Sequence, residues 1–490
     1  MKGKILGILT VLLVLCTSLA IATSDPWWNV RTSQFLNFDN IMNLLSRIAL
    51  YGILGIGVAF VIITSGIDLA IGSMVCLCGV LLSILLKVDY QPENPVNVTQ
   101  VIASEQTIYL EGKGPLFPPG STLRYTGGVG SGLVLTVDAV TENGAIRVRE
   151  ALTRNEKSGR IVKATPIQNF DAGTLDVRLP PDFTASVNDQ LQIFRADGAV
   201  TVQKITSITR TATETTARLA KDPGEKYHAD SFAVLLQRSQ RCSIPVAVIT
   251  VLLIATALGL THGLLITRLR LQPFVVTLCG LLIYRGVSRW LTNDNPAGFG
   301  ELQQVMGPVA SGRIGLLYRG ETLVFGIPIP FFLLLGLAFL ATIFLTRTIW
   351  GRYLLALGRN EEAARFSGIN TSRIIILAYV ICTLMAAIGG MLFALEFSSI
   401  SPSSFGNSFE LYAIAAAVLG GCSLRGGEGS IPGVVIGTAV MQVLNNLITL
   451  LRIPQSLEYT IIGAVILTGV LGDELVRRAA AKRRLKQSAS

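Results

Sequence analysis

The chain has 490 residues, of which half are hydrophobic and 15% are charged, with a mean hydropathy of +0.56 and a formal net charge of +10. This composition excludes an ordinary soluble globular protein, because several apolar segments approach the roughly 20 residues that a helix needs to cross a bilayer. The seven cysteines and two histidines show no zinc or redox spacing, so we expect no metal site in the chain.

Ten apolar segments predict membrane-spanning helices, because a backbone inside hydrocarbon must satisfy its own polar groups. The eighth segment is short and fits a half-helix or a re-entrant piece buried in protein. We therefore predict an all-α polytopic membrane protein with about ten transmembrane helices. The predicted segments are 5–22, 48–64, 69–86, 244–266, 274–291, 331–346, 374–395, 411–422, 434–451 and 459–471.

Lys and Arg cluster before the first segment, after the fourth, between the sixth and seventh, and after the tenth. Ten alternating spans place all four clusters on one side, which the positive-inside rule makes the cytoplasm, so we predict that both termini are cytoplasmic. The first segment could instead be a secretory signal, since Ala20, Ile21 and Ala22 resemble a cleavage site. We expect a retained helix, because the rest of the chain is itself embedded in the membrane.

Residues 87–241 break the apolar pattern and hold nearly equal numbers of basic and acidic residues. Alternating apolar residues flank Asn143-Gly144 and Asp197-Gly198, and this pattern predicts two β-hairpins. Because the third predicted span exits on the far side of the membrane, we expect an inserted, soluble, β-rich domain outside the cytoplasm. Its lack of net charge argues against nucleic acid as a partner.

The predicted organisation has four parts. Residues 1–86 form three transmembrane helices, residues 87–241 form the insert, and residues 242–476 form seven further helices with a loop at 350–373. Residues 477–490 form a basic cytoplasmic tail.

A first motif, ITSGIDLAIGS at residues 63–73, lies between two apolar segments. An acidic residue between two membrane spans is costly unless it has a partner or a function. In one interpretation, Gly66 breaks the helix and Asp68 caps the next one by accepting from backbone N–H groups. In the other, Ser65, Gly66 and Asp68 lie on a translocation path or gate.

A second motif, GRNEEAARFSGIN at residues 358–370, lies in the longest basic loop. It predicts a short helix that Gly368 ends as its C-cap. The segment is either a solvated amphipathic connector or a docking element whose apolar residues rest in a partner's groove.

A third motif covers residues 409–430 and ends in the glycine-rich sequence GGCSLRGGEGS. The glycines make no phosphate loop, because no Gly-Lys-Ser/Thr follows, and they predict a tight turn between close-packed helices. Beyond it, the ninth span carries Gln442, Asn445 and Asn446. Two interpretations are open for these amides: hydrogen bonds between helices, or contacts to sugar hydroxyls on a translocation path.

These three motifs, in this order, resemble those of permease subunits in the ribose/xylose group of ABC importers, within the branched-chain amino acid/ribose permease superfamily. Two positions depart from the family pattern: Tyr412 stands where an acid is usual, and Glu428 where a Lys or Arg is usual. The resemblance implies a type II importer fold in the bacterial inner membrane. It also implies an ATPase-coupling loop whose residues are Gly358, Asn360, Glu361, Glu362, Ala363, Ala364 and Gly368.

The resemblance further implies three protein partners: an ATP-binding cassette subunit, a periplasmic sugar-binding protein, and a second permease copy in a homo- or heterodimer. The sequence contains no Walker A pattern, so we expect no enzyme activity and no cofactor in this chain, with ATP and Mg²⁺ bound by the partner ATPase. The predicted function is monosaccharide import. Import of another small solute, such as a branched-chain amino acid or a nucleoside, is the main alternative. An ion-coupled secondary transporter is disfavoured by the scarcity of buried acids.

Overall fold

A computed structural model divides the chain into two compact units. Unit 1 comprises residues 1–87 and 242–490, and unit 2 comprises Val88–Arg241. The residues that the structure describes are 2–25, 29, 32–111, 117–126, 133–141, 144–152, 155, 157–195, 200–224, 231–319, 322–465 and 467.

Unit 1 is helical over most of its length. Its α-helices within the described residues are α1 (Lys2–Ala22), α2 (Phe38–Ile63), α3 (Ile71–Leu85), α4 (Ile244–Arg268), α5 (Pro273–Thr292), α6 (Leu302–Ser311), α7 (Ile329–Arg347), α8 (Ile349–Arg359), α9 (Glu361–Phe366), α10 (Thr371–Phe397), α11 (Phe409–Leu419) and α12 (Ile431–Leu450). Residues 458–465 are also helical.

Six of these helices, α2, α4, α5, α7, α10 and α12, are long and apolar enough to cross a membrane. Leu6–Ala22, α3 and α11 are shorter apolar helices of the described chain. Unit 1 therefore has the architecture of a polytopic membrane protein, and the count of about ten spans stays a prediction. Part of the tenth predicted span and the whole basic tail at 477–490 lie outside the described residues.

Local sequence explains where several helices begin. Pro occupies one of the first two positions of α4, α5, α7 and α12, where the missing N–H would have no helical partner. Helix α2 starts at Phe38, ten residues before the predicted span, and Asn37 accepts from the backbone N–H of Asp39 at its start. The prediction missed this beginning because Asp39, Asn40 and Arg47 interrupt the apolar pattern without interrupting the helix.

Helix α10 is central in unit 1 and packs against α2, α3 and α4. Small residues permit this close packing. A methyl group added at Gly263 of α4 would lie 2.6 Å from the Ile376 Cα of α10, and one added at Gly390 of α10 would lie 2.7 Å from the Val75 carbonyl oxygen of α3. Both distances are too short for a real side chain, so these helix pairs require glycine.

Unit 1 also contains two small antiparallel sheets that the sequence analysis did not predict. Strands β15 (Ala297–Gly298) and β18 (Ser399–Ile400) form one, and β16 (Arg313–Arg319) and β17 (Thr322–Pro328) form a hairpin. Arg313 pairs with Asp39 at 3.0 Å, which attaches this hairpin to the start of α2.

Unit 2 contains a closed barrel of six strands and an eight-stranded sheet. The barrel order is β2-β3-β6-β5-β4-β7, and the sheet order is β1-β14-β11-β12-β13-β10-β9, with β8 paired to β14. The strands are β1 (Val88–Pro92), β2 (Val96–Ile102), β3 (Thr107–Leu110), β4 (Thr122–Thr126), β5 (Val134–Val140), β6 (Ile146–Val148), β7 (Gly159–Lys163), β8 (Thr165–Pro166), β9 (Asn169–Asp171), β10 (Asp176–Leu179), β11 (Gln190–Arg195), β12 (Val200–Arg210), β13 (Thr215–Leu219) and β14 (Ser231–Gln240).

The barrel and the sheet of unit 2 each have an apolar core. Each core is built from the inward-facing side chains, which alternate with outward-facing ones along a strand. Fully buried Leu123, Leu135 and Ile161 belong to the barrel core, and Val177 and Leu191 to the sheet core. Both predicted hairpins are present: β5 pairs with β6 in the barrel, and β11 pairs with β12 in the sheet. Of their predicted turn residues, Gly144 is described, whereas Asn143, Asp197 and Gly198 lie outside the described residues.

Candidate functional site

The first motif forms a break between two apolar helices. Helix α2 ends at Ile63, and α3 begins at Ile71. Between them, Ser65 adopts a positive φ of 64°, and the N–H of Gly66 donates to the Val61 carbonyl at 3.0 Å. The chain therefore turns sharply at the end of α2, as the first interpretation of Gly66 predicts.

This turn contacts the other two motifs. The Ser65 hydroxyl lies within hydrogen-bond distance of the Gly358 carbonyl at 3.3 Å and the Arg425 carbonyl at 3.0 Å. The N–H of Gly427 donates to the Ile63 carbonyl at 2.9 Å. Three segments that are distant in the chain thus meet at one place, which we call the motif junction: residues 63–66, the end of α8 at 358–359, and the turn at 425–427.

Two glycines make this approach possible. A methyl group at Gly358 would overlap both the Ile63 carbonyl oxygen and the Gly427 nitrogen. Gly427 has a φ of 73°, which favours glycine, and a methyl group there would lie 2.7 Å from the Arg359 nitrogen. The glycine-rich turn was predicted to lie between close-packed helices, and its role in the junction is an addition to that prediction.

The second motif is a short capped helix, α9. At its start, Asn360 Oδ1 accepts from the Ala363 N–H at 2.9 Å. At its end, Gly368 has a φ of 83°, its N–H donates to the Arg365 carbonyl, and the Ile369 N–H donates to the Ala364 carbonyl. These two bonds form a Schellman motif, so Gly368 caps the helix as the sequence pattern predicted.

Helix α9 presents both charge and an apolar side chain on its exposed surface. Glu361, Glu362 and Ala363 are exposed, whereas Ala364 is buried against the rest of unit 1. Phe366, the last residue of α9, is 84% exposed. The docking role of this surface stays a prediction.

Asp68 is buried at 1% exposure, and its Oδ1 accepts from the Ala70 N–H at 2.8 Å just before α3. Asp68 thus accepts from a backbone N–H, as the capping interpretation requires, but this N–H precedes α3, whose N-cap is Ala70 without a side-chain cap bond. Cys382 of α10 lies near the same carboxylate. Nearby, the Tyr379 hydroxyl donates to the Ile67 carbonyl at 3.3 Å, so α10 holds the segment between α2 and α3 from one side.

The sequence analysis missed His262 and Tyr284, which belong to this buried polar region. The Tyr284 hydroxyl of α5 lies 2.7 Å from Nε2 of His262 on α4, and His262 is 2% exposed. Nδ1 of His262 has no partner among the described residues. A lone histidine in an apolar run was the only available sequence signal.

A further pair of charged side chains lies where α3, α5 and α11 come together. Arg285 Nη1 donates to the carbonyls of Pro402 and Phe405, at 3.0 and 2.5 Å. The Glu410 carboxylate lies so close to Gly72 that a side chain at position 72 would overlap the carboxylate. The observed hydrogen-bond partners of Arg285 are therefore backbone carbonyls.

The amides of α12 divide into two kinds. Asn446 and Asn40 exchange reciprocal hydrogen bonds of 2.7 and 3.2 Å between α12 and α2, which accounts for Asn446 as a helix-packing residue. Gln442 is 2% exposed, and neither atom of its amide has a partner within the described residues. Asn445 Oδ1 is likewise buried without a described partner. Among the described hydrogen bonds, none joins these amides to the motif junction.

The model of the branched-chain amino acid transport system / permease component family matches residues 229–470. The ribose import permease protein RbsC of Escherichia coli (strain K12) is 38% identical over 231 residues, which cover 46% of this chain and 68% of that protein. This chain belongs to the branched-chain amino acid transport system / permease component family. The family's members matched here are transport permeases rather than enzymes.

Two further relatives of the permease family span similar parts of the chain. The xylose transport system permease protein XylH of Escherichia coli (strain K12) is 33% identical over 285 residues, covering 48% of this chain and 72% of that protein. The ribose import permease protein RbsC of Bacillus subtilis (strain 168) is 35% identical over 213 residues, covering 43% of this chain and 62% of that protein. No solved structure matches the chain significantly.

The motif junction generates a stability prediction for Gly358→Ala. The added methyl group overlaps backbone atoms of two other segments, so we expect the free energy of unfolding to fall by about 1–3 kcal/mol, as for other overpacked sites. Thermal unfolding of the purified full chain in detergent measures the loss. The control is Gly286→Ala, whose methyl group would meet no atom within 4 Å. Equal stability of the two variants would contradict the close approach.

Proposed function

We propose that this chain is the membrane-spanning permease subunit of an ATP-driven importer for a monosaccharide of the ribose or xylose type. Relatives named as ribose and xylose permeases support the substrate class. The motif junction is the observation that carries the mechanism, because hydrogen bonds of Ser65 join the break between α2 and α3 to the end of α8, and the chain passes from there directly into α9.

In this proposal, α9 and its flanking residues form the site at which an ATP-binding cassette subunit docks. Phe366 supplies an apolar contact, and Glu361 and Glu362 supply charge. The caps at both ends make α9 rigid, so a push on it moves the end of α8. Because the Gly358 carbonyl at that end is bonded to Ser65, movement is passed to the end of α2 rather than absorbed in a flexible loop.

ATP and Mg²⁺ would be bound by the partner subunit, since the chain itself carries no Walker A sequence. The chain would contribute the pore. A periplasmic sugar-binding protein would deliver the substrate, and a second permease copy, identical or related, would complete the path. The location that follows is the bacterial inner membrane, with about ten spans and both termini in the cytoplasm.

Gln442 is the strongest candidate for a sugar contact in the translocation path. An unpaired buried amide costs about 1–3 kcal/mol, so its retention calls for a partner in another state or a ligand. Asn445 shares this property, whereas Asn446 is satisfied by Asn40. Ser65, Gly66 and Asp68 are better placed to open and close the path, because they form the break that the coupling segment contacts.

Import of a branched-chain amino acid or a nucleoside is the second candidate, and the family description names the first of these two solutes. Uptake by cells that lack the gene, with and without a plasmid that carries it, separates the two. We expect uptake of radiolabelled ribose or xylose to depend on the gene and to be blocked by vanadate. Gene-dependent uptake of leucine or adenosine would replace the sugar assignment. Uptake that a protonophore abolishes and vanadate does not would indicate a secondary transporter.

Coupling is tested by charge reversal at Glu361 and Glu362. We expect the Glu361→Lys/Glu362→Lys variant to remain folded in the membrane and to lose at least about ten-fold in co-purification of the ATPase, since like charges at an interface cost several kcal/mol. Gly368→Val should act similarly, because a β-branched residue at positive φ disturbs the end of α9.

The control for charge is Asp25→Lys, which reverses an exposed acid elsewhere in unit 1. It should bind the ATPase normally. Normal transport by the α9 variants would show that the docking site lies elsewhere.

For residues 87–241 we propose a soluble domain inserted outside the cytoplasm that contacts the binding protein or the envelope rather than lining the pore. Two observations support independent folding: Val88–Arg241 is a compact unit, and its first and last strands pair, with Val88 opposite Gln240. The ends of the unit therefore lie side by side, and an insertion of this kind costs little loop entropy.

We expect residues 88–241, expressed alone, to form a soluble β-rich monomer with a cooperative thermal transition, seen by circular dichroism. The full chain with 89–240 replaced by a short Gly/Ser linker should reach the membrane and keep part of its sugar uptake. An aggregated fragment, together with a shortened chain that no longer assembles, would show that unit 2 belongs to the translocation core.

A further inference from the structure

A groove opens on the surface of unit 1 where three helices approach one another. It lies at the end of α7 and the beginnings of α8 and α10 and has a volume of about 320 Å³, near the lower bound for ligand pockets. Five of its six lining side chains are apolar or aromatic, and the sixth is an arginine. The lining residues are Phe344, Trp350, Arg373, Ile376, Leu377 and Val380.

Aromatic side chains mark the groove as lying at a membrane–water interface. Trp350 is 46% exposed and Tyr353, one turn along α8, is 37% exposed. Trp and Tyr concentrate at the level of lipid headgroups, where an apolar ring meets a hydrated surface. The apolar walls of the groove extend from this level along α7 and α10, which are both long enough to span the membrane.

The charged side chain that lines the groove is positive. Arg373 lies in the first turn of α10 and is exposed, and two further exposed arginines, Arg347 and Arg352, lie in the chain within three residues of the lining residues Phe344 and Trp350. Within the described residues, none of the three forms a salt bridge with Asp or Glu. A cation in the first turn of a helix also faces the positive end of the helix dipole, so Arg373 is unfavourably placed unless an anion accompanies it.

We propose that this groove binds an anionic phospholipid, with one acyl chain against Leu377 and Val380 and the phosphate beside Arg373. The combination of apolar walls and a cationic mouth matches a lipid that carries net negative charge, because basic pockets between transmembrane helices recognise such headgroups. A zwitterionic lipid would bring its own cation toward Arg373 and bind more weakly. The site is independent of the transported solute.

Native mass spectrometry of the purified full chain in detergent tests the proposal, with dioleoyl phosphatidylglycerol as the probe. We expect dioleoyl phosphatidylcholine to bind more weakly and glycerol 1-phosphate, a headgroup without chains, not to bind measurably. Arg373→Gln should weaken phosphatidylglycerol binding about five-fold, in line with the contribution of one basic residue near a lipid surface. The control is Arg268→Gln, at the exposed end of α4, which should leave binding unchanged.

A second variant, Leu377→Trp, fills the groove while leaving Arg373 in place, and it should also weaken phosphatidylglycerol binding. Unfolding temperatures of all variants, measured without lipid, distinguish this effect from loss of fold. Equal binding of the two phospholipids, or unchanged binding by both Arg373→Gln and Leu377→Trp, would overturn the proposal. If Leu377→Trp changes the oligomeric state of the chain instead, the groove is an interface between copies and the proposal is also wrong.

Discussion

The end of helix α2 imposes the constraint on which the membrane unit depends. The last carbonyls of a helix have no partner within the helix, and inside a membrane protein they cannot be left unpaired without a large cost. Here the Val61 and Ile62 carbonyls accept from Thr64, Ser65 and Gly66, and the Ile63 carbonyl accepts from Gly427 on another segment. The helix end is satisfied only when the glycine-rich turn lies against it, and that contact in turn requires glycine at 358.

One consequence concerns rigidity. The junction is joined by the short Ser65 hydroxyl and by the backbone bond between Gly427 and Ile63, so it does not rely on long side chains that can change rotamer. Helix α9 continues from this junction with a cap at each end, and α10 begins five residues after the last residue of α9, with its own cap at Asn370. A displacement of α9 would therefore reach the core of the unit with little loss, which is what the proposed coupling role requires.

Much of this arrangement follows from local sequence signals, and the rest does not. Gly368 as a C-cap, the apolar helices and the two β-hairpins were all predictable, because each depends on residues close together in the chain. The meeting of the three motifs depends on contacts such as that between Ser65 and Gly358, which are 293 residues apart in the chain. A single sequence contains no signal for such pairing. The start of α2 was missed for another reason: Asp39, Asn40 and Arg47 interrupt the apolar period there, although the helix continues through them. The hairpin β16–β17, whose pairing contains two register shifts, was not predicted.

The amides of α12 show why a pattern alone could not assign function. Gln442 and Asn446 lie one turn apart on the same helix face, so their spacing fits helix packing and a polar path equally well. Contacts separate them: Asn446 exchanges two hydrogen bonds with Asn40, whereas the buried Gln442 amide has none among the described residues. Packing accounts fully for the first residue and leaves the cost of the second unexplained. The proposed sugar contact in the translocation path therefore rests on Gln442 and not on Asn446.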